Sequence, residues 1–149
     1  MNRKTLQWLM SSALLCAALT ACDKGDSADG GDAPGPVVGD YTDAWGGTHT
    51  VTAESWVAAF PPDTDGFVYT ATCLISQMNE NEGFLVCEND GQSTWSRYDW
   101  MRTGDTLYYC QIEFAAAEED TAAANDSADR SDVEAGCSGY AWTLLTPAD

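Results

Sequence analysis

The stretch FVYTATCLISQMNENEGFLVCE, residues 67–88, decides the fold that we predict for this chain. Its first half, Phe67–Met78, alternates side chains between two faces, and both faces carry enough apolar residues to be partly covered. The turn-forming run Asn79–Gly83 ends this strand, and a second apolar strand follows it. We therefore expect an antiparallel hairpin that sets Cys73 nearly opposite Cys87, at a separation that a disulfide tolerates.

Short alternating runs broken by turn residues continue on both sides of this hairpin, which is typical of an all-β chain. We predict a small antiparallel meander of about seven strands, closed into a barrel or packed as a sandwich. The predicted strands are Gly47–Thr52, Ser55–Phe60, Phe67–Met78, Phe84–Glu88, Thr94–Arg102, Thr106–Phe114 and Gly139–Leu145.

One excursion interrupts the meander. Residues 115–136 are rich in alanine and acids, and Ala115–Ala124 has the composition of about two helical turns followed by a loop. The preceding strand is expected to place Cys110 and Phe114 on one side. Four cysteines in the domain allow three pairings. We expect Cys110–Cys137 to close the excursion against the sheet, beside Cys73–Cys87.

The N-terminus has the pattern of an export signal. Arg3 and Lys4 precede an apolar run, Leu6–Leu19, that is too short and too polar in places for a comfortable membrane span. The run ends in Leu19-Thr20-Ala21-Cys22, where charged residues begin. The plain alternatives are a secretion signal without lipid and an uncleaved helical anchor.

This stretch resembles the lipobox of bacterial lipoproteins. The resemblance implies cleavage before Cys22, a diacylglyceryl thioether on its sulfur and acylation of the new amino terminus. Several acyl chains together hold a protein firmly to a bilayer. We thus predict a signal peptide (1–21), a lipidated cysteine with an acidic tether (22–40) and a β domain (41–149). The domain would lie in the periplasm or on the cell surface, anchored to the cell membrane or the outer membrane.

Composition limits the partners. The chain has 24 acids against six lysines and arginines, for a formal net charge of −18. Such a surface repels phosphate backbones, so we expect no nucleic-acid partner. Cationic ligands, divalent ions and basic proteins are favoured instead, although the acids also serve solubility. The four cysteines that remain after Cys22 form an even set, as in proteins of oxidising compartments.

Aromatic residues supply the candidate binding surface. Trp45 and Trp95 are predicted to be exposed, where they could stack on sugar rings, and the other domain tryptophans are expected in the core. His49 joins this candidate surface, and with Asp43 it is also the candidate for a catalytic base or metal ligand. A strand histidine that simply bonds to a neighbour is the simpler interpretation.

No cofactor and no metal ligand is assigned, and calcium is kept as a side hypothesis. The acid-rich runs Asp63–Gly66, Glu118–Asp120 and Asp126–Glu134 could offer oxygen ligands to Ca²⁺, but none has the spacing of an EF-hand loop. The chain has no GxSxG, HExxH or phosphate-binding glycine loop. We therefore assign no catalytic residue, while a hydrolase using His49 or a pair of carboxylates stays a third option.

Two further resemblances concern the domain. It is similar to a group of bacterial lipoproteins in Trp45–His49, Arg97–Trp100, Tyr109-Cys110 and Gly136–Trp142, and that resemblance implies no activity. Gly39-Asp40-Tyr41 is similar to the G-x-W motif that precedes the first strand of lipocalin and avidin barrels, with tyrosine in place of tryptophan.

These patterns lead to ranked hypotheses of function. First comes a lipid-anchored, non-enzymatic module that displays an acidic, aromatic-bearing face to a protein or glycan. The second is a carrier that holds a small ligand inside a barrel. A filled interior with an exposed aromatic patch would favour display, whereas a cavity open at one end and lined by aromatic residues would favour the carrier.

Overall fold

The computed structural model describes residues 34–149, in which eight strands and one short helix follow one another along the chain. Each strand pairs antiparallel with its neighbours in sequence, and β1 pairs with β8, so that the sheet closes into a barrel. The elements are β1 (Gly39–Asp43), β2 (Thr48–Val51), β3 (Ser55–Ala59), β4 (Thr70–Asn79), β5 (Phe84–Asn89), β6 (Trp95–Thr103), β7 (Thr106–Ala116), α1 (Glu119–Ala123) and β8 (Thr143–Pro147).

The predicted all-β meander is confirmed, and the barrel alternative is the one adopted. The predicted count of seven strands misses β1, which pairs Thr42 with Thr48 of β2 and with Thr146 of β8. This strand begins inside the segment predicted as tether. Val37, just before it, is fully buried, so the folded part of the chain starts earlier than residue 41.

Both predicted disulfides are present. Cys73 and Cys87 have Cα atoms 5.3 Å apart, although Cys87 pairs directly with Ile75, which makes the two cysteines diagonal neighbours. Cys110 and Cys137 have Cα atoms 5.6 Å apart and close the excursion onto β7. Chain-entropy arguments assign such crosslinks about 3–4 kcal/mol each at these loop lengths.

The barrel interior holds the main hydrophobic core. Strand alternation points Trp56, Tyr98 and Trp100 inward, where they pack with aliphatic residues from every part of the sheet. The outer face of β4 is less covered than predicted: Leu74 is 47% exposed, and the strand starts at Thr70 rather than at Phe67. The buried members of this core are Val37, Tyr41, Val51, Trp56, Ala58, Cys73, Leu85, Cys87, Tyr98, Trp100, Leu107 and Leu145.

The excursion was predicted as residues 115–136, but it spans residues 117–142, because β7 extends to Ala116 and β8 begins at Thr143. It covers the outer face of β5, β6 and β7. Ala122 of α1 packs on Val86, and Trp142 packs on Met101 and Ile112. The helix spans only Glu119–Ala123, shorter than predicted, because Ala115 and Ala116 belong to β7. The loop that follows therefore forms a second layer over one side of the barrel.

A buried ion-pair network fastens this layer to the barrel. Asp99, on the outer face of β6, accepts hydrogen bonds from Arg97 Nε at 2.7 Å and from Arg130 Nη2 at 2.6 Å. Arg130 also donates to the Gly83 carbonyl, and Arg97 donates to the Ala123 carbonyl. Two guanidinium groups on one carboxylate thus link the excursion, β6 and the β4–β5 turn.

The two ends of the barrel differ. One end, which we call the closed end, carries the connections 52–54, 80–83 and 104–105 and is covered by residues 34–38. Trp100 Nε1 donates to the Gly35 carbonyl at 2.9 Å, and Arg102 donates to the Pro36 carbonyl. Val37, the next residue, is fully buried in the barrel core. The chain therefore reaches the barrel at its closed end.

Candidate functional site

The opposite end, which we call the mouth, is open. It carries the connections 44–47, 60–69 and 90–94 and the start of the excursion. A cavity of about 350 Å³ enters the barrel there, within the range of small-ligand pockets. Its lining combines aromatic, amide and hydroxyl side chains: His49, Ala58, Phe60, Tyr69, Thr70, Ala71, Thr72, Asn89, Asp90, Gln92, Tyr98, Tyr109, Gln111 and Phe114.

Packed aromatic rings form the floor of this cavity. The Tyr98 ring stacks on Trp56 with centroids 4.7 Å apart, and Tyr109 lies 6.4 Å from Tyr98. His49 meets Tyr109 edge to face at 5.0 Å. These contacts fill the middle of the barrel and limit the cavity to the part of the interior nearest the mouth.

His49 is held from both sides. Its Nδ1 atom accepts a hydrogen bond from Trp56 Nε1 at 3.1 Å, so that nitrogen carries no proton. Its Nε2 atom therefore donates to Asp43 Oδ2, at 3.2 Å. The imidazole is neutral in this arrangement, and both of its nitrogens are used.

Asp43 is a buried carboxylate without a cationic partner among the described residues. Its side chain is 1% exposed. Burial alone would raise the pKa of Asp43, but hydrogen bonds from His49 and from the Gly47 and Trp45 backbone N–H groups outweigh burial and lower it. A negatively charged carboxylate is therefore hydrogen-bonded to His49.

The two tyrosines of the floor keep their protons. Burial raises the pKa of Tyr109 to about 12, the Asp43 charge adds to this rise, and a hydrogen bond with Thr143 opposes it. Burial likewise raises the pKa of Tyr98 well above its usual range. Both phenols therefore stay neutral at any physiological pH.

The side-chain amides of Asn89 and Gln111, which line the cavity, donate their N–H groups to other protein atoms. Asn89 Nδ2 donates to Thr94 Oγ1 and to the Phe114 carbonyl, both at 3.0 Å. Gln111 Nε2 donates to Ser96 Oγ at 3.2 Å. Internal bonds thus occupy these amide donors, and the Gln111 amide oxygen is left as an acceptor.

The predicted candidate residues do not form one surface. Trp45 is 77% exposed in the 44–47 turn and does not line the cavity. Trp95 is only partly exposed, because it packs beside Val86 under α1. His49 was expected on the binding surface, but it is 2% exposed, since β2 turns it toward the interior. The histidine–neighbour bond that we considered the simpler interpretation is present.

Sequence reasoning missed most of the residues that line the cavity. The alternation pattern allows Tyr98 and Tyr109 to be placed on the inward faces of adjacent strands, but it does not place Phe114 there. Phe114 was predicted on the same side as Cys110. Irregular pairing of β6 with β7 around Glu113 shifts the alternation of side chains along β7. Phe114 is therefore not on the side of Cys110, and it lies 65% exposed at the mouth.

The acid-rich runs use their carboxylates within local turns. Asp63 Oδ1 accepts from the Asp65 and Phe67 N–H groups, and Asp129 Oδ1 accepts from Ser131. Asp132 makes a similar turn. Within residues 34–149, no three acidic, histidine or cysteine side chains come together as metal ligands. The calcium hypothesis stays a prediction.

The predicted signal peptide, lipobox, Cys22 and most of the tether lie outside the described residues. In the part of the chain from 34 onward, no helix is long and apolar enough to cross a membrane.

The features in hand define a class of architecture: a closed, eight-stranded antiparallel barrel with one covered end and one open, aromatic-lined end. Comparison with models of protein families, with curated protein sequences and with solved structures finds no match for the chain.

Proposed function

We propose that this domain binds a small ligand in the cavity at its mouth, and that lipid on Cys22 holds it in the cell envelope. The carrier that ranked second in the sequence reasoning thus becomes the leading function. The observation that carries it is the cavity itself, about 350 Å³ with aromatic walls. Up-and-down barrels such as lipocalins and streptavidin use the same architecture to hold small ligands, which is an analogy of fold.

The chemistry of the cavity favours binding over catalysis. His49 is the only histidine of the chain, and both of its ring nitrogens are engaged by Trp56 and Asp43. A general base needs a free lone pair within reach of its substrate. The neutral phenols of Tyr98 and Tyr109 are suited to packing and hydrogen bonding rather than to proton abstraction.

Display to a protein or glycan is the second candidate, and exposed apolar residues outside the cavity favour it. Trp45 is 77% exposed, and Phe67 and Val68 are 66% and 53% exposed in the 60–69 connection. None of the three lines the cavity. The two functions therefore depend on different residues and can be separated by substitution.

A cavity-filling variant tests the proposal. Ala58 and Ala71 face each other inside the barrel, whereas Ala59 lies on the outer side of β3. Ala71→Phe should fill the cavity, and Ala59→Phe adds the same ring outside it. A library of small fragments is screened against the full chain by ¹H–¹⁵N correlation spectra.

The expected fragments shift amides of residues that line the cavity, such as Tyr98 and Gln111, in the wild type and in Ala59→Phe. Ala71→Phe should lose these shifts while remaining folded. If no fragment shifts these amides, or if Ala71→Phe retains every response, the cavity is not a binding site. Shifts confined to Trp45 and Phe67 would favour display instead.

A further inference from the structure

The cavity at the mouth joins open aromatic faces to an uncompensated negative charge. We propose that its ligand is an organic cation, a molecule whose ammonium group sits among the aromatic rings while its apolar part fills the cavity. This inference rests on the proposed function, since it names the ligand class of the same site.

The first support is the set of rings at the mouth. Phe60 and Tyr69 lie with centroids 5.9 Å apart, and Tyr69 and Phe114 are 52% and 65% exposed. All three line the cavity. The face of an aromatic ring carries partial negative charge and attracts ammonium groups within about 6 Å of its centroid. Exposed rings around an opening provide such faces.

The second support is the charge behind the floor. Asp43 is ionised and accepts its three hydrogen bonds from neutral groups, so no positive charge cancels it. Its hydrogen-bond partner His49 lines the cavity. In a poorly hydrated interior such a charge acts over a longer distance than it would in water. Asp90, at the rim, adds a second carboxylate.

The third support is the placement of the positively charged side chains of the protein. Residues 34–149 contain no lysine, and their three arginines are Arg97, Arg102 and Arg130. Arg97 and Arg130 bind Asp99 on the outer face, and Arg102 bonds to Pro36 at the closed end. None of them lines the cavity. Carboxylate or phosphate ligands would therefore meet no cationic side chain there.

The fourth support is the pattern of hydrogen-bonding groups. Asn89 and Gln111 use their side-chain N–H groups on internal acceptors, so neither amide offers a donor to an anion or to sugar oxygens. The Gln111 amide oxygen, the Asp90 carboxylate and the ring faces remain, beside the hydroxyl groups of the lining threonines and tyrosines. That combination suits a cation better than it suits a neutral saccharide.

The test compares two probes of equal shape. Choline carries a trimethylammonium group. Its neutral isostere, with a carbon in place of the nitrogen, is 3,3-dimethylbutan-1-ol (dimethylbutanol below). Isothermal titration of the full chain at low ionic strength should give choline an affinity at least about tenfold higher. Added salt should weaken choline alone, because only its binding contains a Coulomb contribution.

Substitutions then locate the effect. Phe114→Leu should weaken choline by about threefold, whereas Tyr140→Leu, at a position 77% exposed and outside the cavity, should not change it. Asp43→Asn also perturbs the 44–47 turn, so its readout is the ratio of the two affinities. Structural damage affects both probes, and a lower ratio reports the lost charge.

Equal affinities, a preference for dimethylbutanol, or binding of glucose but not of choline would overturn the cation inference. The same holds if none of these probes binds while neutral fragments still shift the amides of the cavity. In those cases the proposed carrier function stands. If no small molecule of any kind reaches the cavity, the proposed function fails as well.

Discussion

Substitution of Asp99 tests whether charge pairing holds the excursion on the barrel. The Asp99 side chain is 1% exposed, and it bonds to Arg97 Nε at 2.7 Å, Arg97 Nη2 at 3.3 Å and Arg130 Nη2 at 2.6 Å. Asparagine has the same shape but no charge, and its NH₂ group faces a guanidinium. The buried Arg97 then loses its counter-charge.

The expected loss follows from this geometry. Breaking a buried ion pair by removing one partner costs about 3–5 kcal/mol. Arg97 keeps its bond to the Ala123 carbonyl and lies 4.3 Å from the Phe84 ring centroid, so we expect the lower part of that range. A loss of about 3 kcal/mol corresponds to roughly 10–15 °C in melting temperature for a domain of this size.

Urea unfolding followed by circular dichroism, with the disulfides intact, measures this loss at neutral pH. Asp105→Asn, at an exposed turn position, is the matched control and should change stability by less than about 0.5 kcal/mol. If Asp99→Asn costs no more than the control, the network does not stabilise the fold.

A second variant separates local from global effects. Arg130 is 37% exposed and bonds to Asp99 and to the Gly83 carbonyl. Arg130→Met should therefore cost only about 1–2 kcal/mol. Hydrogen exchange should rise within residues 117–142, as at the Trp142 N–H that bonds to the Val133 carbonyl, and not in β4. Uniform acceleration across the barrel would contradict this.

Three other predictions follow from individual residues. The pKa of Tyr109 rises from 10.0 to about 12 on folding, so the free energy of unfolding should stay constant below pH 10 and fall between pH 10 and about pH 12. This fall should be shallower in Tyr109→Phe. An identical slope in the variant would refute the raised pKa of Tyr109. Gly83 has φ +71° and a Cβ there would strike the Trp100 carbonyl, whereas Gly91 has φ +72° and open space. Gly83→Ala should therefore cost about 1–3 kcal/mol more than Gly91→Ala in urea unfolding, and equal losses would exclude the contact. Cys22→Ala should move the protein from the membrane fraction to the soluble one, and continued membrane association would remove the lipid-anchor hypothesis.

Local patterns were enough to predict most of the barrel. Alternation and turn residues identify β2 to β7, because each of these strands follows its neighbour with a recognisable break. The last predicted strand, Gly139–Leu145, overlaps β8 only at residues 143–145, because the excursion continues to residue 142. The Cys73–Cys87 disulfide follows from one hairpin. Cys110–Cys137 follows because an excursion must return to the strand that it leaves. These inferences need only neighbours in sequence.

The remaining features depend on pairing between distant parts of the chain. Strand β1, with the sequence GDYTD, contains a glycine and two acids and resembles tether rather than strand. It is a strand because β2 and β8 pair with it on both sides. Arg97, Asp99 and Arg130 show no local pattern either, since the excursion must fold back before they meet.

The candidate site illustrates the same limit. His49 could be paired with Asp43 as a candidate because the two lie close in sequence, but Trp56 becomes its neighbour only through the register of β2 and β3. The irregularity that turns Phe114 to the mouth has no distinct sequence mark. Whether a barrel is hollow depends on the sum of its inward side chains, which alternation alone does not measure.

Gly35 and Pro36 lie at the closed end, so the chain that precedes them reaches the barrel on the side opposite the mouth. If lipid on Cys22 ties the N-terminus to a bilayer, the opening on the opposite side faces the aqueous phase. A solute dissolved in the periplasm or medium would then meet the site by free diffusion. A molecule partitioned among the lipids would have to leave them first, so an anchor at this end would disfavour hydrophobic membrane residents as ligands.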